Sequence, residues 1–191
     1  MAKRSPVVEA PTPPEVQPMG RIQFQFVRAR GLFAWAIARF GRVIPGYSHV
    51  DLVLPPDWCR RLDAKPGSLL GARDDDIKGI PAGVRVRPPN YEKWARRTVV
   101  TLSAPQPVVD AMLAYAVDQE GAKYDEDAIA GFIFGQRWHK NGDFICSAFA
   151  TDVVVTGNLI HPPDVPPQQM SPDVLATVLT CAGGERETSH G

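Results

Sequence analysis

One cysteine stands where the sequence changes from a strand-like apolar run to a helical pattern. Cys146, in "DFICSAFATDVVV", lies at or next to the predicted start of that helix, where unpaired backbone N–H groups and the helix dipole favour an anion. The thiolate is the reactive form of cysteine, so this position suits a nucleophile, and the same N–H groups can hold the oxyanion of a tetrahedral intermediate. The alternative role is packing, because free cysteine is among the most buried residue types.

A nucleophilic thiol needs a base, and the best-placed histidine is His49 in "YSHVDLVL". Side chains two residues apart point to the same side of a strand, so His49 and Asp51 share one face, with their Cα atoms about 6.5 Å apart. Asp51 can then orient the imidazole through the ring nitrogen that faces away from the thiol, which is the role of the third member of a catalytic triad. The alternative is that both are ordinary solvent-facing strand residues.

No pattern in the sequence indicates a metal or another cofactor. The three cysteines, at positions 59, 146 and 181, are far apart and none belongs to a C-x-x-C pair, and no two histidines have the spacing of metal ligands. The acidic run "RDDD" at 73–76 lacks the glycine and the distal glutamate of a calcium loop, so we interpret it as a solvated turn. We expect free thiols and no bound cofactor.

Composition limits the class of protein. The chain has 191 residues, 44% hydrophobic and 22% charged, which is typical of one globular domain with its own core. Its 21 basic and 21 acidic residues give a net charge of +0, which offers no broad attraction for nucleic acid. The N-terminal 20 residues lack the apolar segment of a secretory signal, and the longest apolar runs are too short to cross a bilayer. We expect no nucleic-acid partner, no stable membrane insertion, and a cytoplasmic protein of undetermined oligomeric state.

The predicted elements around these residues form an α+β domain over residues 21–181, with a small antiparallel sheet packed against helices. The proline-rich residues 1–20 are predicted to be a disordered tail, and residues 182–191 a flexible C-terminal tail. Alternating patterns predict strands in "RIQFQF", "YSHVDLVL", "GSLLGAR", "GVRVR" and "RRTVVTLS". Helical spacing predicts helices in "LFAWAIARFG", in "PQPVVDAMLAYAVDQEG", from Cys146 to about Thr156, and in "SPDVLATVL", where Ser171 is the expected N-cap.

The order of these motifs resembles a known family. "GLFAWAIARFGRVIPGYSHVDLVL", "LLGARDDDIKGIPAGVRVRPP", "GAKYDEDAIAGFIFG", "DFICSAFATDVV" and "MSPDVLATVL" together resemble the circularly permuted NlpC/P60 (YiiX-like) papain-type cysteine hydrolases, a superfamily that includes lecithin retinol acyltransferase-like proteins. In the permuted group the histidine strand precedes the cysteine helix, and here His49 precedes Cys146. The resemblance covers about residues 22–180.

The resemblance implies a permuted papain-like fold and a thiol hydrolase with Cys146 as nucleophile and His49 as base. The third polar residue lies on the next strand in many relatives, whereas "GSLLGARD" carries no obvious candidate, so Asp51 is our candidate. The implied substrates are peptides such as peptidoglycan stem peptides, or lipid-like acyl groups. An apolar groove formed by Phe132, Phe134 and Trp138 would favour the lipid-like groups. The resemblance also implies that a protein of this kind is either cytoplasmic or phage-associated.

Two further possibilities stay open. Tyr47 and Tyr124 are weaker candidates for an additional hydrogen-bond donor to the oxyanion. A non-catalytic binding or virion protein that keeps the fold without the activity is the alternative from a different class.

Overall fold

The computed structural model describes residues 17–29, 46–125, 145–161 and 170–191. These residues form a mixed α+β structure with six strands and four helices, so the predicted fold class is confirmed at this level. The strands are β1 (Met19–Ala29), β2 (His49–Val53), β3 (Leu69–Arg73), β4 (Gly83–Arg87), β5 (Trp94–Pro105) and β6 (Glu185–His190), and the helices are α1 (Pro56–Arg61), α2 (Gln106–Asp118), α3 (Cys146–Thr156) and α4 (Pro172–Cys181).

All six strands belong to one antiparallel sheet in the order β4-β3-β2-β1-β5-β6. The pairing of β1 with β2 sets Gln25 opposite Asp51 and Val27 opposite His49. Directly opposed residues of an antiparallel pair lie on the same face, so these four side chains share one side of the sheet.

The other face of the sheet packs against the hydrophobic core. The side chains of β1, β2 and β3 that point to this face are fully buried: Phe24, Phe26, Val50, Leu52 and Leu70. Helix α3 packs on β2, β3 and α2, while α2 packs on β1 and β5. The hydrophobic effect favours this arrangement, because it removes the apolar side chains on one face of each strand from water.

The helix bearing Cys146 and the last helix begin as the sequence predicts. Helix α3 starts at Cys146. Helix α4 starts at Pro172, and the Ser171 hydroxyl accepts a hydrogen bond from the Val174 N–H at 3.3 Å, which is the expected N-cap.

The C-terminal segment 182–191 is not the flexible tail that the sequence predicts. It contains β6, which pairs with β5 from Thr101↔Glu185 to Arg96↔His190. All six of its side chains are exposed, so backbone hydrogen bonds hold it to the edge of the sheet without any apolar pattern. The short helix α1 is also absent from our prediction, which placed no helix between the strands in "YSHVDLVL" and "GSLLGAR".

Several sequence predictions lie outside the described residues. These are the helix in "LFAWAIARFG", the groove residues Phe132, Phe134 and Trp138, and residues 1–16 of the predicted disordered tail. Residues 19 and 20 of that tail begin β1.

Candidate active site

Strand β2 places His49 and Asp51 side by side, as its alternation predicts. His49 Nε2 lies 2.8 Å from Asp51 Oδ1. The alternative of solvent-facing residues is wrong, since His49 is 6% exposed and Asp51 is 1% exposed. A buried carboxylate without a partner would be costly, and the imidazole is the partner that compensates it.

The electrostatics of this pair favour the charged form of both side chains. Burial opposes protonation of His49, but the charges of Asp51 and Cys146 and hydrogen bonds to both raise the pKa of His49 to about 10. Burial likewise opposes ionisation of Asp51, yet the His49 charge and hydrogen bonds from His49 and Tyr91 lower the pKa of this carboxyl group. The pair is therefore an imidazolium and a carboxylate at neutral pH.

Cys146 interacts with the histidine of this pair. It is the first residue of α3 and 5% exposed, and it contributes both a charge interaction and a side-chain hydrogen bond to His49. The preceding residue, Ile145, is the N-cap and makes no side-chain cap, so the first-turn N–H groups near the sulfur receive no side-chain acceptor from it. The structure thus brings together all three side chains that the sequence singled out.

Tyr91 is a neighbour of this site that sequence reasoning missed. It follows β4 in "RPPNYEKW", and its hydroxyl donates to Asp51 Oδ2 at 2.8 Å and lies 3.1 Å from His49 Nε2. The ring is 5% exposed. A tyrosine after two prolines carries no periodic signal, so only the three-dimensional contact identifies it.

Two arginines flank Tyr91. The guanidinium carbon of Arg73 lies 5.5 Å from the Tyr91 ring centroid and that of Arg87 lies 5.8 Å from it. Arg73 also forms an ion pair with Glu92, the residue after Tyr91. Arg87 is fully buried, and its guanidinium donates to four backbone carbonyls, including that of Gly71 at 2.8 Å. These cations stabilise the segment that covers the site.

The two tyrosines considered from the sequence occupy different surroundings. The Tyr47 hydroxyl donates to Thr98 Oγ1 at 2.6 Å and accepts from Arg186 at 3.0 Å, so its single proton is already engaged with Thr98. Tyr124 packs against Ile145 beside Cys146, and burial together with the Cys146 charge raises its pKa well above the ordinary value. Tyr124 is therefore the tyrosine that lies next to the thiol.

The other two cysteines differ from Cys146 in their surroundings. Cys59 is 1% exposed, and its thiol donates to the Leu54 carbonyl at 3.4 Å. Cys181, at the end of α4, is exposed. Within the described ranges neither thiol is hydrogen-bonded to a histidine, so the two cysteines provide internal standards for thiol reactivity.

A small cavity lies beside Tyr91. Its volume is about 10 Å³, and its walls are Gln25, Val27, Leu69, Asn90, Tyr91, Glu92 and Trp94. That volume accommodates about one water molecule, so this cavity is not a substrate pocket.

Comparison with known proteins adds no family assignment. No protein-family model matches the chain, and no curated protein matches it. Across the four described ranges, no helix has the length and apolarity needed to cross a membrane, and no cluster of three histidine, cysteine or acidic side chains could hold a metal ion.

Proposed function

We propose that the protein is a cysteine hydrolase in which Cys146, His49 and Asp51 form the catalytic triad. The observation that carries the proposal is the buried His49–Asp51 pair, 2.8 Å apart, whose imidazole also interacts with a thiol at the start of α3. Packing alone explains a buried cysteine, but it gives no reason to bury a charged histidine and a carboxylate beside it.

The charge interaction between His49 and Cys146 prepares the nucleophile. The charge of Cys146 is among the causes that raise the pKa of His49, so the imidazole stands beside the sulfur, where it can exchange a proton with the thiol. Asp51 holds the ring through Nε2, so in this proposal Nδ1 is the nitrogen that exchanges a proton with the sulfur. The arrangement matches the roles of nucleophile, base and orienting carboxylate in a triad.

The reaction then proceeds through an acyl-enzyme. The Cys146 thiolate forms a bond to the carbonyl carbon of an amide or ester, and His49 donates its proton to the amine or alcohol as the bond to that leaving group breaks. His49 next removes a proton from water, whose oxygen attacks the thioester, and the carbon–sulfur bond breaks to restore the thiolate. Backbone N–H groups of the first turn of α3 stabilise the oxyanion in both steps.

We further propose that the fold is the permuted papain-like one. Its support is the chain order, with His49 on an early strand and Cys146 on a later helix that packs on β2 and β3. On this basis the substrates are peptide amides, with peptidoglycan stem peptides as the first class to examine. Lipid acyl esters are the second class, since the chemistry at the sulfur is the same.

Alkylation by iodoacetamide tests the nucleophile without knowledge of the substrate. The three thiols are followed separately by peptide mass spectrometry between pH 5.5 and 8.5. We expect Cys146 to react faster than the exposed Cys181 well below pH 8, despite its burial, and Cys59 to stay unmodified. His49→Ala should abolish the preference. Equal, slow labelling of all three thiols would contradict a catalytic role.

Acyl transfer tests the second half of the proposal. With p-nitrophenyl acetate, we expect a burst of p-nitrophenol and a transient acetyl group on Cys146, which hydroxylamine removes. Cys146→Ala should lose both signals, while Cys181→Ser should keep them. A stem-peptide amide and a long-chain acyl ester, compared under the same conditions, then separate the two substrate classes. A protein that only binds partners through this fold would give no burst.

A further inference from the structure

Tyr91 completes a closed triangle with the His49–Asp51 pair. Its hydroxyl oxygen lies 2.8 Å from Asp51 Oδ2 and 3.1 Å from His49 Nε2, while Asp51 Oδ1 lies 2.8 Å from the same nitrogen. Each carboxylate oxygen therefore has its own partner. The carboxylate cannot rotate without breaking at least one of these bonds.

The donor and acceptor capacities of the three side chains determine where the protons lie in this triangle. A carboxylate only accepts hydrogen bonds, and a phenol has a single proton, so the Tyr91 hydroxyl donates to Asp51. The oxygen atoms that face Nε2 then offer lone pairs from both Asp51 and Tyr91. Nε2 must therefore carry a hydrogen, because an unprotonated nitrogen would place its own lone pair against them.

We propose that Tyr91 is a positioning residue that fixes the Asp51 carboxylate and keeps the His49 proton on Nε2, so that Nδ1 is the nitrogen that exchanges a proton with Cys146. This inference rests on the proposed hydrolase function. It assigns Tyr91 no contact with the reacting carbonyl. Its effect is to prevent the wrong tautomer, with its proton on Nδ1, from forming when His49 becomes neutral during the reaction.

The surroundings of Tyr91 suit this task. Arg73 Nη1 donates to the Tyr91 hydroxyl at 3.4 Å, and Arg73 and Arg87 both lie against the ring. Asn90 has a φ of 59°, a left-handed conformation that asparagine tolerates better than most residues, and this turn directs Tyr91 back toward the sheet. Burial, followed by the Asp51 charge, raises the pKa of Tyr91 well above its ordinary value, so the hydroxyl keeps its proton.

The decisive readout is the tautomer of His49. In wild-type protein labelled with ¹⁵N in histidine, we expect Nε2 to be protonated at every pH and Nδ1 to titrate. In Tyr91→Phe we expect a mixture of the two neutral tautomers once the ring loses its proton. If the wild-type protein holds its proton on Nδ1, or if Tyr91→Phe leaves both ring nitrogen shifts unchanged, the inference is wrong. The wild-type measurement stands even if the variant does not fold.

Alkylation of Cys146 provides the kinetic readout. Tyr91→Phe should slow it by about tenfold, which corresponds to the loss of one hydrogen bond to a charged group. In a plot of alkylation rate against pH, the fall in rate at low pH (the low-pH limb) should also move to higher pH in this variant. The reason is that the hydrogen bond from Tyr91 lowers the pKa of Asp51. The other charged groups around this carboxylate, His49 from β2, Arg73 from β3 and Arg87 from β4, remain in place, as does Cys146 opposite His49.

Tyr47→Phe is the matched control. It also removes a buried hydroxyl, but the partners of that hydroxyl are Thr98 and Arg186. We expect it to leave the His49 tautomer and the low-pH limb unchanged, whereas a merely structural role of Tyr91 predicts that both variants behave alike. Failure of wild-type acyl transfer would overturn the hydrolase proposal, while an unaltered His49 ring in Tyr91→Phe overturns only the role of Tyr91.

Discussion

Gly71 on β3 leaves the space that the Asp51 carboxylate occupies. A Cβ atom built on Gly71 would lie 2.1 Å from Asp51 Oδ1, far inside any possible contact, and that oxygen is the one bonded to His49 Nε2. The glycine on β3 therefore leaves room for a carboxylate that comes from the neighbouring strand β2.

Gly71→Ala should therefore disable the site. The methyl group must push either the carboxylate away from His49 or β3 away from β2, and a displacement of about 1 Å in a catalytic group costs on the order of 10²-fold in rate. We expect Cys146 alkylation at pH 6.5 to fall by about that factor. The rate should be measured together with urea unfolding, because loss of the fold would also slow or randomise labelling.

Gly20→Ala is the matched control for Gly71→Ala. Its Cβ would also meet an oxygen at short range, 2.6 Å, but that oxygen is the end of the Gln106 side chain, which can move aside. Normal alkylation in Gly20→Ala and impaired alkylation in Gly71→Ala are the expected pair of results. Equal rates in both variants would argue against a fixed position for Asp51.

Asp51→Asn should lower the pKa of His49. The Asp51 charge and hydrogen bond both raise this pKa, whereas burial lowers it, and burial persists in the variant. We expect the His49 ring to titrate well below the wild-type value of about 10 in an NMR pH titration. Alkylation of Cys146 near pH 6 should slow in parallel, because a less stable imidazolium stabilises the thiolate less.

Asp75→Asn separates this effect from a general loss of negative charge. Asp75 lies near the site, but its carboxylate accepts from Arg73 Nε at 2.8 Å and makes no hydrogen bond to His49. We expect the His49 titration to change little in this variant. A drop as large as that in Asp51→Asn would mean that the direct contact is unimportant.

The local part of the site was predictable from sequence, because strand periodicity is a local property. The alternation in "YSHVDLVL" was sufficient to place His49 and Asp51 on one face, and the helix start at Cys146 followed from the change of pattern. The burial of this face was not predictable. It depends on Tyr91, 40 residues beyond Asp51, and on Arg87, whose alternation with Arg85 looks like that of an exposed strand.

The C-terminal strand illustrates a second limit. Pattern-based prediction of strands relies on one apolar face, and β6 has none, since every side chain from Glu185 to His190 is exposed. Its order comes from backbone pairing with β5 and from contacts such as Thr188 Oγ1 to Thr98 Oγ1 at 2.9 Å. A sequence of charged and hydroxyl residues does not distinguish such an edge strand from a tail.

Asp173→Ala should weaken the site from outside it. Both oxygens of Asp173, in the first turn of α4, accept from the Tyr47 N–H at 2.9 Å, two residues before His49. Burial raises the pKa of Asp173 to about 6, against the effects of Tyr47, Arg96 and Arg186. Loss of this anchor should cost about 1–3 kcal/mol of unfolding free energy and slow Cys146 alkylation.

Asp173→Asn distinguishes the hydrogen bond from the charge. The amide oxygen can still accept the single Tyr47 N–H, so we expect near-normal alkylation and no loss of the anchor. It also removes the group that binds a proton more tightly in the folded chain than in the unfolded one between pH 3.8 and about 6. The stability of Asp173→Asn relative to wild type should therefore improve as pH rises through that window.

The raised pKa of His49 also makes a prediction about stability. The folded protein holds this proton up to a pKa of about 10, whereas the ordinary value is 6.5, so the stabilising effect of protonation is fully present below pH 6.5 and is lost as pH rises toward 10. The comparison is best made between Cys146→Ala and Cys146→Ala/His49→Gln, since the thiol then does not titrate. In these variants Cys146 no longer raises the pKa of His49, so the stabilising effect of protonation is lost somewhat below pH 10.

Urea unfolding of these two variants at pH 6, 7.5 and 9 gives the difference in their unfolding free energy. As pH rises, Cys146→Ala, which keeps His49, should lose stability relative to Cys146→Ala/His49→Gln. The change is no more than about 1.4 kcal/mol per pH unit, the limit for one proton. The sign of the difference at any single pH is not decisive, because replacing a buried charge with a neutral side chain can itself be stabilising. The slope is decisive: a pH-independent difference would mean that His49 is not held as an imidazolium beside Asp51, and the charged triad would then be excluded.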